Sequence, residues 1–142
     1  MAIVYFDSSA FVKLLIDEDG SDIAAQLWDA ADAVVSSRLA YPEVRAALAV
    51  AARAGRLDQG SELEAEEGWE EFWAATRAVE LSDRVADEAG TLAKQWALRG
   101  ADAVHLASAL VLGKDTVLAA WDIRLATGAV AAGLRVVPST ER

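Results

Sequence analysis

Cysteine is absent from this 142-residue chain. That excludes disulfides and Cys-ligated zinc or iron–sulfur sites, and it fits a reducing cytoplasm as the expected setting. Histidine occurs once, at His105, so any Ser–His–Asp triad would have to use it. Basic residues are few: 13 Lys and Arg stand against 23 Asp and Glu, for a net charge of −10. Such a balance argues against broad electrostatic binding of nucleic acid by the free chain. It is compatible with a metal site built of carboxylates and with a basic protein partner. No apolar run approaches the ~20 residues of a membrane span. The N-terminal apolar run is short and has no basic region before it, unlike a signal peptide. Internal repeats, linkers and low-complexity tracts are lacking, so a single domain over 1–142 is expected.

Hydrophobic residues make up 54 % of the chain, enough for a sizeable core. They fall into short blocks. Ala2–Phe6 is an apolar, β-rich run that stops at Asp7, and a helical pattern starts at once with Ala10, Phe11, Val12, Leu14 and Leu15. A strand passing directly into a helix is the first half of a βαβ unit. Further strands are expected over Ala33–Ser36, Ala78–Leu81, Thr116–Ala120 and Arg135–Val137. Helices are expected over Ser21–Ala31, from Ser37 to about Ala54, from Asp58, over Arg84–Leu98, from Asp102 to Gly113 and over Ile123–Ala132. Alternating strands and helices predict an α/β fold, a parallel sheet with helices on both faces and right-handed crossovers.

Four carboxylates fall at similar junctions. Asp7 ends the first strand and Asp122 follows the fourth. Glu43 lies in the first turn of the helix after the second strand, and Asp102 opens the strongly apolar segment AVHLASALVL. Singly, each reads best as a helix cap or a dipole partner. Together they point elsewhere. Ligands of open α/β sheets bind outside the carboxyl ends of the strands, where Asp7 and Asp122 both lie. A helix apolar on nearly all sides must be buried, which draws Asp102 inward, and a buried carboxylate is costly unless paired or metal-bound. Carboxylates sharing a cleft repel one another, and a hard divalent cation such as Mg²⁺ relieves this.

The segments YFDSSAFVKLL around Asp7, YPEVRAAL around Glu43, ADAVHLASAL around Asp102 and WDIRL around Asp122 resemble those of PIN-domain proteins, in particular VapC-type ribonuclease toxins. They occur in the family's order and span nearly the whole chain. The resemblance implies a three-layer, Rossmann-like α/β sandwich with a short, mostly parallel five-stranded sheet. It implies that Asp7, Glu43, Asp102 and Asp122 bind Mg²⁺ or Mn²⁺ and hydrolyse RNA phosphodiester bonds, leaving a 5′-phosphate and a 3′-hydroxyl. It also implies a cognate antitoxin as partner, with a homodimer or a toxin–antitoxin hetero-oligomer as the assembly. Ser9 matches a hydroxyl position that is implied to hold a metal-bound water. Many members carry Thr or Ser two residues before the last Asp, where this chain has Ala120, so no hydroxyl supports Asp122 from there.

Other residues are weighed beside the quartet. His105, three residues after Asp102, reads as a packed side chain that hydrogen-bonds locally. Lys13, Arg38, Arg45, Arg99 and Arg124 lie near the acids in sequence, and Lys13 and Arg38 are the favoured contacts for RNA phosphate. Trp69, Phe72 and Trp73 form a stripe that suits core packing. Part of it, with Leu39 or Leu48, is the candidate antitoxin contact, and the run of Glu on the same helix suits basic residues of that partner. Two alternatives fit the same chain: a PIN nuclease of RNA processing or DNA that has no antitoxin, and a non-catalytic acidic α/β binding module whose four acids only cap helices.

Overall fold

Residues 2–139 are described by the structure, a computed structural model. Five strands form one sheet: β1 (Ile3–Phe6), β2 (Ala33–Ser37), β3 (Arg77–Val79), β4 (Val117–Ala119) and β5 (Arg135–Val137). Their order is β3-β2-β1-β4-β5, and every neighbouring pair is parallel. Seven helices connect them: α1 (Ser8–Leu15), α2 (Ser21–Ala30), α3 (Ala40–Arg53), α4 (Gln59–Ala74), α5 (Asp83–Trp96), α6 (Gly100–Val111) and α7 (Ile123–Ala131).

Alternation along the strands builds a core on each face of the sheet. Val4 and Phe6 of β1 join Phe11, Val44, Leu48 and Trp69, beneath α1, α3 and α4. Tyr5, between them, joins Leu106, Leu118, Leu125 and Val136, beneath α5, α6 and α7. The result is the expected three-layer α/β sandwich. From β1 the chain steps outward to β2 and β3, then returns to the other side of β1 for β4 and β5. The carboxyl ends of β1 and β4 therefore flank the point where the winding reverses, which is where such sheets bind ligands.

Several boundaries differ from the sequence expectation, and three of them bear on the site. The helix after β2 starts at Ala40 rather than Ser37, because Ser37 still belongs to the sheet. The next residue, Arg38, donates its backbone N–H to Val79 O at 3.0 Å, and Ser37 Oγ accepts from Leu39 N at 3.1 Å, which turns the chain into α3. β3 covers Arg77–Val79 and stops before Leu81, where Ser82 N turns back onto Glu80 O at 3.0 Å. α6 opens on Gly100 rather than Asp102, behind the extended Arg99, and Asp102 stands in the first turn. Among the described residues, no helix is long and apolar enough to cross a membrane.

Candidate active site

Asp7 is delivered by β1. It follows Phe6 directly, and its N–H continues the sheet onto Ala119 O of β4 at 3.2 Å. Its side chain caps α1: Oδ1 accepts from Ala10 N at 2.9 Å and from Ser9 Oγ at 2.7 Å. Oδ2 makes no hydrogen bond among the described residues. The expected capping thus uses one oxygen of the carboxylate. Ser9 supports Asp7 directly.

Glu43 arrives from the first turn of α3. Its Oε1 accepts from Ser8 Oγ at 2.6 Å and lies 2.6 Å from His105 Nε2. His105 is buried, and its Nδ1 meets Tyr5 OH at 2.7 Å. His105 is packed, as read, but its hydrogen bonds are not local: its partners come from β1 and α3. Asp102 stands half-buried in the first turn of α6 and makes no hydrogen bond among the described residues. Asp122 is exposed and caps α7 through Oδ1, which accepts from Leu125 N at 3.0 Å. The loop before it is held by Trp121, over whose ring Lys13 Nζ sits at 5.0 Å. Gly20 packs against the same indole with φ 91°, and a Cβ there would fall 2.8 Å from Trp121 Nε1. Only glycine suits that turn.

Electrostatics tie the four acids into one locality. Burial pushes the Asp7 carboxyl above its ordinary value, against the pull of His105 and the hydrogen bonds from Ser9 and Ala10, and Asp102 adds to the rise. Burial and then the Asp122 carboxylate push Asp102 up, with Glu43 adding to them and His105 and Arg99 opposing. Burial alone would raise Glu43 too, but hydrogen bonds from His105 and Ser8 outweigh it and hold the carboxyl low. Among the described residues, no three such side chains are drawn together tightly enough to hold a metal ion as they stand.

A stability prediction follows from the raised pair. Unfolded Asp ionises near 3.8, whereas folded Asp7 and Asp102 keep their protons to higher pH. The folded state binds more protons in that interval, so stability falls as pH rises from about 3.8 through the folded values. Asp102→Asn should therefore melt a few degrees above the parent at pH 7 in chelator, with the gap closing toward pH 3.8. Melting curves against pH measure this. A variant less stable at every pH would make Asp102 chiefly a charge that stabilises the N-terminus of α6.

The expected RNA and antitoxin contacts divide. Lys13 is bound to Glu18 at 3.1 Å, and Arg38 forms a fork onto Glu80, with Nε 3.1 Å from Oε1. Arg45 reaches Glu70 at 3.2 Å. Arg99 and Arg124, beside Asp102 and Asp122 in sequence, make no ion pair among the described residues. Trp69 and Leu48 are corrected: both are fully buried, because Trp69 packs on Phe11 and Leu48 enters the same core, and neither can form a docking surface. Trp73 and Leu39 instead line an apolar hollow of about 420 Å³ with Tyr41, Pro42, Leu81 and Arg38. Ser8 and Tyr5 were missed as site residues. Tyr5 did leave a sign, since a phenol in an otherwise apolar buried strand needs a partner for its hydroxyl.

Residues 4–129 match the PIN domain, and the chain belongs to the PIN-domain family. Within that family it is of the VapC type: it is 62 % identical over 140 residues to Ribonuclease VapC45 of Mycobacterium tuberculosis (strain CDC 1551 / Oshkosh), covering 98 % of this chain and 97 % of the relative. Among solved structures it is similar to PAE2754 from Pyrobaculum aerophilum, with a TM-score of 0.71 at 20 % identity over 96 % of this chain and 84 % of that one. It is also similar to a toxin–antitoxin complex from Klebsiella pneumoniae, with a TM-score of 0.59 at 19 % identity over 86 % of this chain and 87 % of that one. At those identities the two structures speak for the fold alone.

Proposed function

We propose that the protein is a divalent-metal-dependent endoribonuclease and the toxin of a toxin–antitoxin pair. The observation that carries the chemistry is the division of labour within the carboxylates. Among the described residues, Asp7, Glu43 and Asp122 each commit one oxygen to the protein and leave the other without a hydrogen bond, and Asp102 leaves both. All these donors are hard oxygens, and the electrostatic cost of gathering them is what a divalent cation offsets. They fit Mg²⁺ or Mn²⁺. Support for RNA as substrate comes from the close relative, which is named a ribonuclease.

When bound, such an ion polarises the scissile phosphate and lowers the pKa of water. The chain supplies the rest. Asp7 and Glu43 are held by Ser9 and Ser8, and Asp102 and Asp122 complete the acidic edge. Arg99 and Arg124, which make no ion pair among the described residues, meet RNA phosphates beside that edge. The antitoxin reading is supported by the solved toxin–antitoxin complex of this fold and by the hollow at Trp73. That hollow suits an apolar side chain of a partner whose basic residues meet Glu66, Glu67 and Glu70. In the cell, the protein works in the cytoplasm as a homodimer or bound to its antitoxin.

Purified protein should cleave RNA with Mg²⁺ or Mn²⁺, stop when a chelator is added and restart when the metal is restored. Cleavage that continues unchanged in chelator would overturn the metal dependence. A protein inert on every RNA but still bound by the product of the neighbouring reading frame would favour the binding module.

A further inference from the structure

The buried chain from Tyr5 to Glu43 has a direction, and that direction fixes a proton. Ser37 donates its backbone N–H to Tyr5 OH at 3.0 Å. The nearby Ser36 hydroxyl spends its proton on Phe6 O at 2.6 Å. The Ser36 and Ser108 hydroxyls lie near the phenol but make no hydrogen bond to it among the described residues, so the acceptor in contact with the phenol's own proton is His105 Nδ1 at 2.7 Å. A ring nitrogen that accepts carries no proton, so the neutral imidazole is protonated on Nε2. That nitrogen stands 2.6 Å from Glu43 Oε1, where the reverse tautomer would set two acceptors face to face. Oε1 also takes the Ser8 hydroxyl at 2.6 Å.

We propose that Tyr5 and His105 are positioning residues: they hold the Nε2–H tautomer, which with Ser8 commits Glu43 Oε1 to the protein and leaves Oε2 as that residue's one oxygen for a cation or its water. The role rests on the metal reading of Glu43 given above. It gives a buried phenol and a buried imidazole beneath the acidic edge a common purpose. Partners of this kind fix the rotamer of a ligating side chain, and losing one typically costs ~10–100-fold in metal affinity.

His105 is the only histidine, so the imidazole ¹⁵N resonances of labelled protein report this ring alone. In metal-free protein the neutral form of the ring should show a protonated Nε2 and an unprotonated Nδ1. Tyr5→Phe should mix the tautomers and weaken Mn²⁺ binding, read by calorimetry, about tenfold. His105→Gln, whose amide can still donate toward Glu43, should bind Mn²⁺ more tightly than His105→Leu. An Nδ1–H tautomer in the parent, or equal affinities for the Gln and Leu variants, overturns the proposal, and the parent spectrum decides even if a variant fails to fold. Failure of the metal reading looks different. The parent would then bind no Mn²⁺ while the ring still reports Nε2–H, which removes the purpose assigned to the relay but not its geometry.

Discussion

Asp7→Asn should give a protein that folds, melts no lower than the parent in chelator, and no longer cleaves RNA. Asparagine keeps the oxygen that caps α1: its Oδ1 can still accept from Ala10 N and Ser9 Oγ, now at 2.9 and 2.7 Å from the aspartate, and Asn is as good an N-cap as Asp. The substitution removes the negative charge of a buried carboxylate whose ionisation burial already opposes. The fold gains by that loss, while the site loses the oxygen left free for a cation. Losing a ligand should cost at least as much as losing one of its supports, ~10–100-fold, so activity should drop by ~100-fold or more. Ser9→Ala should cost less, because Ala10 N still holds the carboxylate. A parent-like rate for Asp7→Asn on mapped RNA ends would remove Asp7 from the catalytic machinery and return it to capping alone.

How far the site could be read from sequence follows from how its parts are connected. Asp7, Glu43, Asp102 and Asp122 stand at junctions that hydrophobic patterning marks, so each was legible where its own segment changes period. The groups that hold them were not. Ser8 meets Glu43 across 35 residues of sequence, His105 meets Glu43 across 62, and Tyr5 meets His105 across 100. No local pattern encodes those pairings. They exist because β1, α3 and α6 are brought together at one sheet edge. The start of α3 was misplaced for a related reason. Ser37 looks like a helix-capping residue, yet it is buried with Ser36 in β2, where Ser36 Oγ donates to Phe6 O and Ser37 N–H serves Tyr5. Their polarity answers a tertiary demand that a single segment does not display. The aromatic stripe shows the same limit: helical spacing put Trp69 and Trp73 on one face but could not say which of them the core would take.

That division makes the second prediction. Trp69→Ala should lower stability by ~3–5 kcal/mol, the range for emptying a large aromatic site, and the melting temperature by roughly 10 °C or more. Trp69 is fully buried. Its ring lies 4.9 Å from Phe11 and 6.0 Å from Tyr41, centroid to centroid, so α4 is pinned through it to α1 and α3. Its indole Nε1 has no hydrogen-bond partner among the described residues, so Trp69→Phe gives up volume without breaking a bond and should cost distinctly less than the alanine. Trp73 is only partly buried and lies beside the hollow with Arg38 over its ring at 5.9 Å. Trp73→Ala should cost ~1 kcal/mol, an ordinary value for a partly exposed site, yet weaken retention of the co-expressed neighbouring gene product by tenfold or more, as expected of a tryptophan anchor. Thermal melts of the free variants and co-purification with the partner separate the two effects. If Trp73→Ala holds the partner as the parent does, the hollow is not the docking site. If instead it melts as low as Trp69→Ala, Trp73 belongs to the core that already claims its neighbour.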